Sequence, residues 1–157
     1  MEILGKILGN GARVKIMRLF LLNRGKGFKS KDIAKRSRVS SDIVRRELRL
    51  LASVNFIKKR SSVSLDWYFN SFFKYAGEFE ELLVRSDTLN REAILYNFKK
   101  IGQVKLLVVS GVFIKSHDSR VDLLIVGDKL KKARIENGIR KLEALIGTEL
   151  VYAIFNT

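Results

Sequence analysis

Two groups of side chains in this sequence have the types and spacing to do chemistry. The first is cationic. Residues 1–60 hold 17 Lys and Arg against four acids (Glu2, Asp32, Asp42 and Glu47), a local charge of +13 out of +15 for the chain. Residues 61–157 hold 14 bases and 12 acids, so the excess belongs to the first third. A solubility charge would be spread out; a local field of one sign attracts phosphate. A solvated basic face is the bland alternative. Within this third, Arg45, Arg46 and Arg49 follow Ser41 and Asp42 at helical spacing, and Lys58, Lys59 and Arg60 follow in an extended run. Guanidinium groups on an exposed helix can fork onto guanine or reach phosphate oxygens, and Lys58–Arg60 can lie along a neighbouring backbone or minor groove. A strand edge protected by charge is the other reading of that last run.

The second group is a loop: Ser110, Gly111, Lys115, Arg120 and Asp122, with His117 and Asp118 between them. Arg120, Lys115 and the amides after Ser110 have the chemistry to hold a phosphate-bearing ligand without metal. Arg120 and Asp122 can equally form an internal ion pair, and a lone His beside an Asp in a polar turn is usually just exposed. No catalytic set accompanies them. With no cysteine in 157 residues a disulfide framework and a thiolate metal site are excluded, the single His argues against a zinc centre, and neither a metal nor a cofactor is expected. Hydrophobic residues make up 46% of the chain, enough for a packed core. No stretch approaches the roughly 18 apolar residues of a membrane span, no signal-peptide pattern opens the chain, and no long basic amphipathic helix is present. The expectation is a cytoplasmic protein without a membrane partner.

The elements that must position these groups follow from apolar periodicity. Residues 10–23 predict a helix capped by Asn10, with Ile16, Met17, Phe20 and Leu21 recurring at three- and four-residue spacing, and Arg24-Gly25-Lys26-Gly27 ends it. Ser30 is the expected cap of a second helix to about Arg36, burying Ile33 and Ala34. After a turn at residues 37–40, a third helix capped by Ser40 or Ser41 places Val44, Leu48 and Leu51 on one face and sends Arg45, Arg46 and Arg49 toward solvent. Two extended runs, from Phe56 to Arg60 and from Val63 to Phe69, predict a β-hairpin. Residues 70–85 and 90–101 predict helices, with Phe72, Phe73, Phe79, Leu82 and Leu83 on the apolar side of the first. Beyond Gly102 the runs 104–109 and 121–126 predict strands covered on both faces, as in a mixed or parallel sheet. A helix over 130–146 and a last strand over 150–155 complete a small α/β layer, with a domain boundary near 86–90.

Three short helices and a hairpin, in that order, resemble a winged helix-turn-helix. The resemblance rests on Ser30-Lys31-Asp32-Ile33-Ala34, on Val39-Ser40-Ser41-Asp42-Ile43-Val44-Arg45-Arg46-Glu47-Leu48 with Leu51, and on Phe56-Ile57. It covers roughly residues 10–70. It implies that Ile33 and Ala34 pack the second helix on the third, that the third helix enters the DNA major groove, and that the hairpin is a wing. Arg38 stands where such motifs often carry a turn glycine.

The second half is similar to the minimal nucleotidyltransferase fold, over roughly residues 88–157. The residues concerned are the strand 104–109, Ser110-Gly111-Val112-Phe113, and Ser119-Arg120-Val121-Asp122 leading into the next strand. Active members hold two divalent cations on an Asp-x-Asp pair and a third carboxylate from a later strand, and the resemblance implies a chain that continues past the last strand here. Asp122 matches the second aspartate, Arg120 replaces the first, Val112 replaces the turn serine, and residues 150–155 carry no carboxylate. The resemblance therefore implies the fold and argues against the activity.

The fold expected is α+β: a winged helix-turn-helix domain (1–70), a helical connector (71–87) and a nucleotidyltransferase-like α/β domain (88–157). The expected function is that of a non-enzymatic transcriptional regulator. Its partner is double-stranded DNA, read by Ser41, Asp42, Arg45, Arg46, Arg49, Lys58, Lys59 and Arg60, while the second domain senses, docks a protein partner or dimerises. A homodimer would double the half-sites; the Phe-rich stretch from about 71 to 101 serves either as its interface or as interdomain packing. Two alternatives stay open, a nucleotidyltransferase acting on nucleic acid or a bound protein, and an antitoxin-like or scaffold protein.

Overall fold

Asn10 opens the first long helix as a cap: its backbone is extended, and its Oδ1 accepts the N–H of Ala12 at 2.9 Å. The computed structural model describes residues 3–85, 91–98, 100–114, 116 and 118–157, with backbone alone at 85 and 91–93. The described elements are α1 (Ile3–Ile7), α2 (Gly11–Leu22), α3 (Ser30–Ser37), α4 (Ser41–Ser53), β1 (Ile57–Lys59), β2 (Trp67–Phe69), α5 (Ala76–Glu80), a π-helical turn (Glu81–Arg85), α6 (Arg91–Asn97), β3 (Gln103–Val109), a 3₁₀ turn (Gly111–Phe113), β4 (Leu123–Asp128), α7 (Lys132–Ile146) and β5 (Tyr152–Phe155). Among the described residues, seven α-helices with a two-stranded and a three-stranded sheet make a mixed α+β fold. No helix among the described residues is long and apolar enough to cross a membrane. The chain divides into two compact units, residues 1–88 with 144–148, and residues 89–143 with 149–157. Residues 71–85 thus cluster with the first unit, and the boundary expected near 86–90 lies outside the described residues.

Helix ends in the first unit are set by backbone chemistry. Ser30 is the first residue of α3 and not its cap, since Lys29 holds the cap position without a side-chain bond. Arg38 ends α3 in left-handed backbone (φ 52°), and the N–H of Val39 returns to Ala34 O at 3.2 Å. Glycine would occupy that conformation more cheaply, by about 1 kcal/mol. Helix α4 closes the same way: Asn55 is left-handed (φ 59°), its N–H reaches Ala52 O at 3.0 Å, and the N–H of Phe56 reaches Leu51 O at 2.9 Å. This closure turns the chain directly into β1.

Among the described residues the core of this unit is apolar but for two charges, Glu47 and Arg18, and two neutral polar side chains, Asn23 and Ser37. Val14, Ile16 and Phe20 of α2, Ile33 of α3, and Val44, Leu48 and Leu51 of α4 are buried with Phe56, Ile57 and Phe69. Phe56 sits at the centre of an aromatic cluster, edge-on to Phe69 at 5.3 Å and to Phe73 at 5.2 Å. Glu47, only 4% exposed, accepts Asn10 Nδ2 on Oε1 at 2.7 Å and Arg13 Nε on Oε2 at 2.8 Å, so α4 is tied to the start of α2. Arg18, 1% exposed, donates Nε to Leu83 O at 2.7 Å and Nη1 to Leu145 O at 3.2 Å. Those carbonyls belong to the last turns of two helical segments, where a cation is electrostatically favoured.

The stretch from Asn70 departs from the expected continuous helix. Asn70 Oδ1 accepts the N–H of Phe72 and its Nδ2 donates to Asn55 O at 2.8 Å, and two successive turns follow, Phe73 N–H to Asn70 O at 2.9 Å and Ala76 N–H to Phe73 O at 3.1 Å. Regular helix begins only at Ala76, and Phe72, expected on a buried face, is 86% exposed.

In the second unit β3 pairs antiparallel with β4 and β4 pairs parallel with β5, in the order β3-β4-β5. Along β4 burial alternates, with Leu123 and Ile125 inside. They share the buried set with Ile94 of α6, Phe98 just after it, and Ile135, Ile139 and Leu142 of α7. A Cβ at Gly138 would stand 2.8 Å from Asn97 O, so glycine lets α6 and α7 approach. The expectation of strands covered on both faces fails at β3, where Leu106 and Val108 are exposed. Helix α6 ends at Asn97, short of the expected 90–101, and Lys100 is left-handed (φ 67°). At the exposed end of β4 the Lys105 ammonium, 2.7 Å away, and the Thr157 hydroxyl hold the Asp128 carboxyl below its ordinary value of 3.8. A carboxyl depressed in the folded state adds stability above 3.8, and that stability is lost as pH falls through the lower folded value.

Glu47→Ala should lower the unfolding free energy by about 1–3 kcal/mol, because it leaves Asn10 and Arg13 without their buried acceptor. Glu47→Gln, which keeps one acceptor oxygen, should lose less; urea unfolding measures both.

Candidate nucleic-acid interface

Helix α4 presents the first group. Its buried stripe of Val44, Leu48 and Leu51 turns Ser41, Asp42, Arg45, Arg46 and Arg49 outward, and all five are exposed. Ser40 holds the cap position by backbone alone, with no side-chain cap bond, so the expected capping by a serine hydroxyl does not occur there. Asp42 lies in the first turn, where a negative charge suits the helix dipole, and meets Arg45 at 3.2 Å. With side chains 90% and 69% exposed, that pair is worth about 0–1 kcal/mol and opens easily for a competing anion.

The hairpin presents the second group. Lys58, Lys59 and Arg60 are exposed. Lys58 is paired with Tyr68 across the ladder and Lys59 with Trp67. Successive residues of a strand point to opposite faces, so Lys58 and Lys59 do not act as one cluster. Lys59 Nζ lies 4.9 Å from the centre of the Trp67 ring, Arg60 Cζ 4.3 Å from that of Tyr68, and Lys58 Nζ 5.3 Å from that of the exposed Phe72. Each aromatic face holds a cation in place without neutralising it, which leaves the charge available to a phosphate.

Sequence reasoning missed these aromatic partners, and it missed a strand-like pairing at Phe28. The N–H and C=O of Phe28 and Trp67 exchange hydrogen bonds at 2.9 Å in both directions. The signal was the period-two placement of Trp67 and Phe69 opposite Lys59 and Ile57. A Cβ at Gly27 would overlap the Tyr68 ring, so that glycine seats the hairpin and does not merely end α2.

The second candidate loop is built differently from the expectation. Asp122 is buried, its Oδ1 accepts Val112 N–H at 2.9 Å and its Oδ2 accepts Val151 N–H at 2.8 Å. The Asp122 carboxylate therefore ties the turn after β3 to the approach of β5. Arg120 is exposed, and no ion pair joins it to Asp122 among the described residues. Backbone amides satisfy the carboxylate where an arginine was expected to. Gly111 is left-handed (φ 52°), and a Cβ there would overlap Asp122 Oδ1. Ser110 and Ser119 share a hydrogen bond at 2.7 Å between their hydroxyls. Lys115 and His117 lie outside the described residues. Among the described residues no three His, Cys, Asp or Glu side chains group to hold a metal ion.

No protein-family model, curated protein or solved structure matches the chain.

Asp122→Ala should cost about 1–3 kcal/mol by orphaning two backbone N–H groups. In the wild type, ATP or GTP with or without Mg²⁺ should leave the thermal midpoint unmoved; a nucleotide-dependent shift that Asp122→Ala abolishes would give the carboxylate a ligand role.

Proposed function

We propose that this chain is a DNA-binding transcriptional regulator whose first unit is a winged helix-turn-helix. Helix α4 reads the major groove and the β1–β2 hairpin rests on the adjacent backbone. The observation that carries the reading is the division of α4: its apolar stripe is buried while Arg45, Arg46 and Arg49 stand in solvent with Ser41 and Asp42. An exposed helix of this composition fits the major groove, where arginine discriminates guanine by a two-pronged hydrogen bond. The order of elements supports it as well, since α2, α3 and α4 are followed at once by an antiparallel hairpin with cations at its outer end.

The second unit is, in this proposal, a nucleotidyltransferase-like domain without catalysis, serving sensing, docking or dimerisation. Support comes from the Asp122 carboxylate, both of whose oxygens are taken by backbone amides, and from β5, whose residues Tyr152–Phe155 carry no acid.

Arg45→Ala or Arg46→Ala should weaken binding to a selected duplex by about 1–3 kcal/mol and relax its sequence preference, read by competition between selected and scrambled duplexes. Equal loss on both duplexes would reassign these arginines to the backbone, and no loss on either would remove α4 from the interface. The hairpin makes a finer test. Because Lys58 and Lys59 point to opposite faces of β1, and Arg60 just beyond it lies over Tyr68, the cross-strand partner of Lys58, Lys58→Ala and Arg60→Ala should shift the slope of log Kd against log [salt] alike, by about 0.9 each, with Lys59→Ala departing from them. Three equal shifts would mean that the hairpin does not meet DNA with one face.

A further inference from the structure

The second unit carries its own concentration of positive charge, hidden in the sequence by acids elsewhere. Of its twelve Lys and Arg, six fall in residues 99–102 and 129–134, and none of its seven Asp and Glu does. Outside those two short segments the unit is slightly acidic.

The fold brings the segments together. Lys131 N–H donates to Ile101 O at 2.6 Å, and Arg134 Nη1 donates to Lys100 O at 2.8 Å. Gly102 lies against Lys129, where a Cβ would stand 2.7 Å from the carbonyl oxygen. The loop before β3 and the loop between β4 and α7 are thus locked into one corner. Lys100, Lys129, Lys131, Lys132 and Arg134 are all exposed there, and none of the five forms an ion pair among the described residues. The two nearest acids in the sequence are engaged elsewhere, Asp128 by Lys105 and Glu136 by Arg140.

This crowd is unfavourable in isolation. The first turn of α7 holds no acid, so its cations oppose the helix dipole as well as one another. Lys100 (φ 67°) and Lys129 (φ 50°) occupy left-handed backbone that Gly or Asn would adopt at less cost. A polyanion lying across the corner offsets all of these terms at once.

We infer that this corner of the second unit is a sequence-independent binding surface for the phosphodiester backbone of duplex DNA, a contact additional to the one made by α4 and the hairpin; it rests on the reading of the chain as a DNA-binding regulator. Four of the five cations are lysines, flexible point charges suited to phosphates and not to base edges. The one arginine spends part of its fork on Lys100 O. The exposed residues between the cations, Gly102, Gln103 and Ala133, offer no large side chain to insert into a lipid surface.

The test uses the full chain with Lys129, Lys131 and Lys132 all replaced by Ser, leaving Lys100 and Arg134 in their backbone contacts. Binding to a 40-base-pair duplex is titrated over a salt series, with selected and random sequences, and circular dichroism checks the fold. Lys132→Glu alone serves as a second variant if the triple one is destabilised. The triple variant should lower the salt slope by about 2–3, at about 0.9 per phosphate released, and weaken both duplexes by the same factor, about 10-fold or more at low salt. The ratio of selected to random affinity should stay as in the wild type. A slope and affinity equal to the wild type's would overturn the inference while leaving the reading of α4 intact. Loss of sequence preference in the wild type itself would overturn that reading and not this one. Binding to vesicles containing phosphatidylserine that the triple variant abolishes, with DNA affinity unchanged, would assign the corner to a lipid surface instead.

Discussion

The exposed face of α4 is only as well aimed as the helix that carries it, and that helix is held by one buried carboxylate. Glu47 points inward from the same turn that sends Arg46 and Arg49 outward, and it grips the cap residue of α2 and the arginine one turn beyond. A carboxylate taken out of water must be paired and fully hydrogen-bonded, so its partners are held to a narrow geometry. Apolar packing through Val44, Leu48 and Leu51 would tolerate a helix that slides or rotates by a fraction of a turn. A two-point grip on Asn10 and Arg13 does not. The same Asn10 that starts α2 therefore also sets the rotation of α4, which couples a local capping choice to the direction in which the arginines project.

Arg18 and Asp122 play comparable parts in the rest of the chain. Each is a buried charged side chain hydrogen-bonded to backbone: Arg18 to the carbonyls of Leu83 and Leu145, Asp122 to the amides of Val112 and Val151. Such contacts organise segments that have no regular ladder to hold them. They also change what a charge in the sequence means, because a guanidinium or carboxylate committed to backbone is withdrawn from ligand chemistry. Arg18 contributes to the count of bases in the first sixty residues and adds nothing to the surface that a duplex would meet.

Much of the helical half was legible beforehand. The spacing of Ile16, Met17 and Phe20, and of Val44, Leu48 and Leu51, places buried stripes correctly because an amphipathic helix must hide its apolar face whatever surrounds it. The left-handed turn at Arg38 coincides with the position where a glycine was expected. The region from Asn70 was misread as one continuous helix: two successive turns, Phe73 N–H to Asn70 O and Ala76 N–H to Phe73 O, precede the regular helix that begins at Ala76. The fate of Asp122 was not legible, since a carboxylate beside an arginine in sequence gives no hint that two amides from distant segments will reach it first.

The amino-acid order by itself determined that α2 and α4 are helices, which of their faces are apolar, and that the first sixty residues carry a field able to attract phosphate. These depend on near-neighbour spacing and on charge counts, both of which survive any arrangement of the elements. Only the tertiary structure decided which charges remain available. It buried Glu47 and Arg18, parted Lys58 from Lys59 across a strand, and gathered Lys100 with Lys129 and Lys131 from segments nearly thirty residues apart in the chain. The reason is that exposure and pairing are properties of contacts between remote segments, and such contacts exist only once the chain has closed on itself.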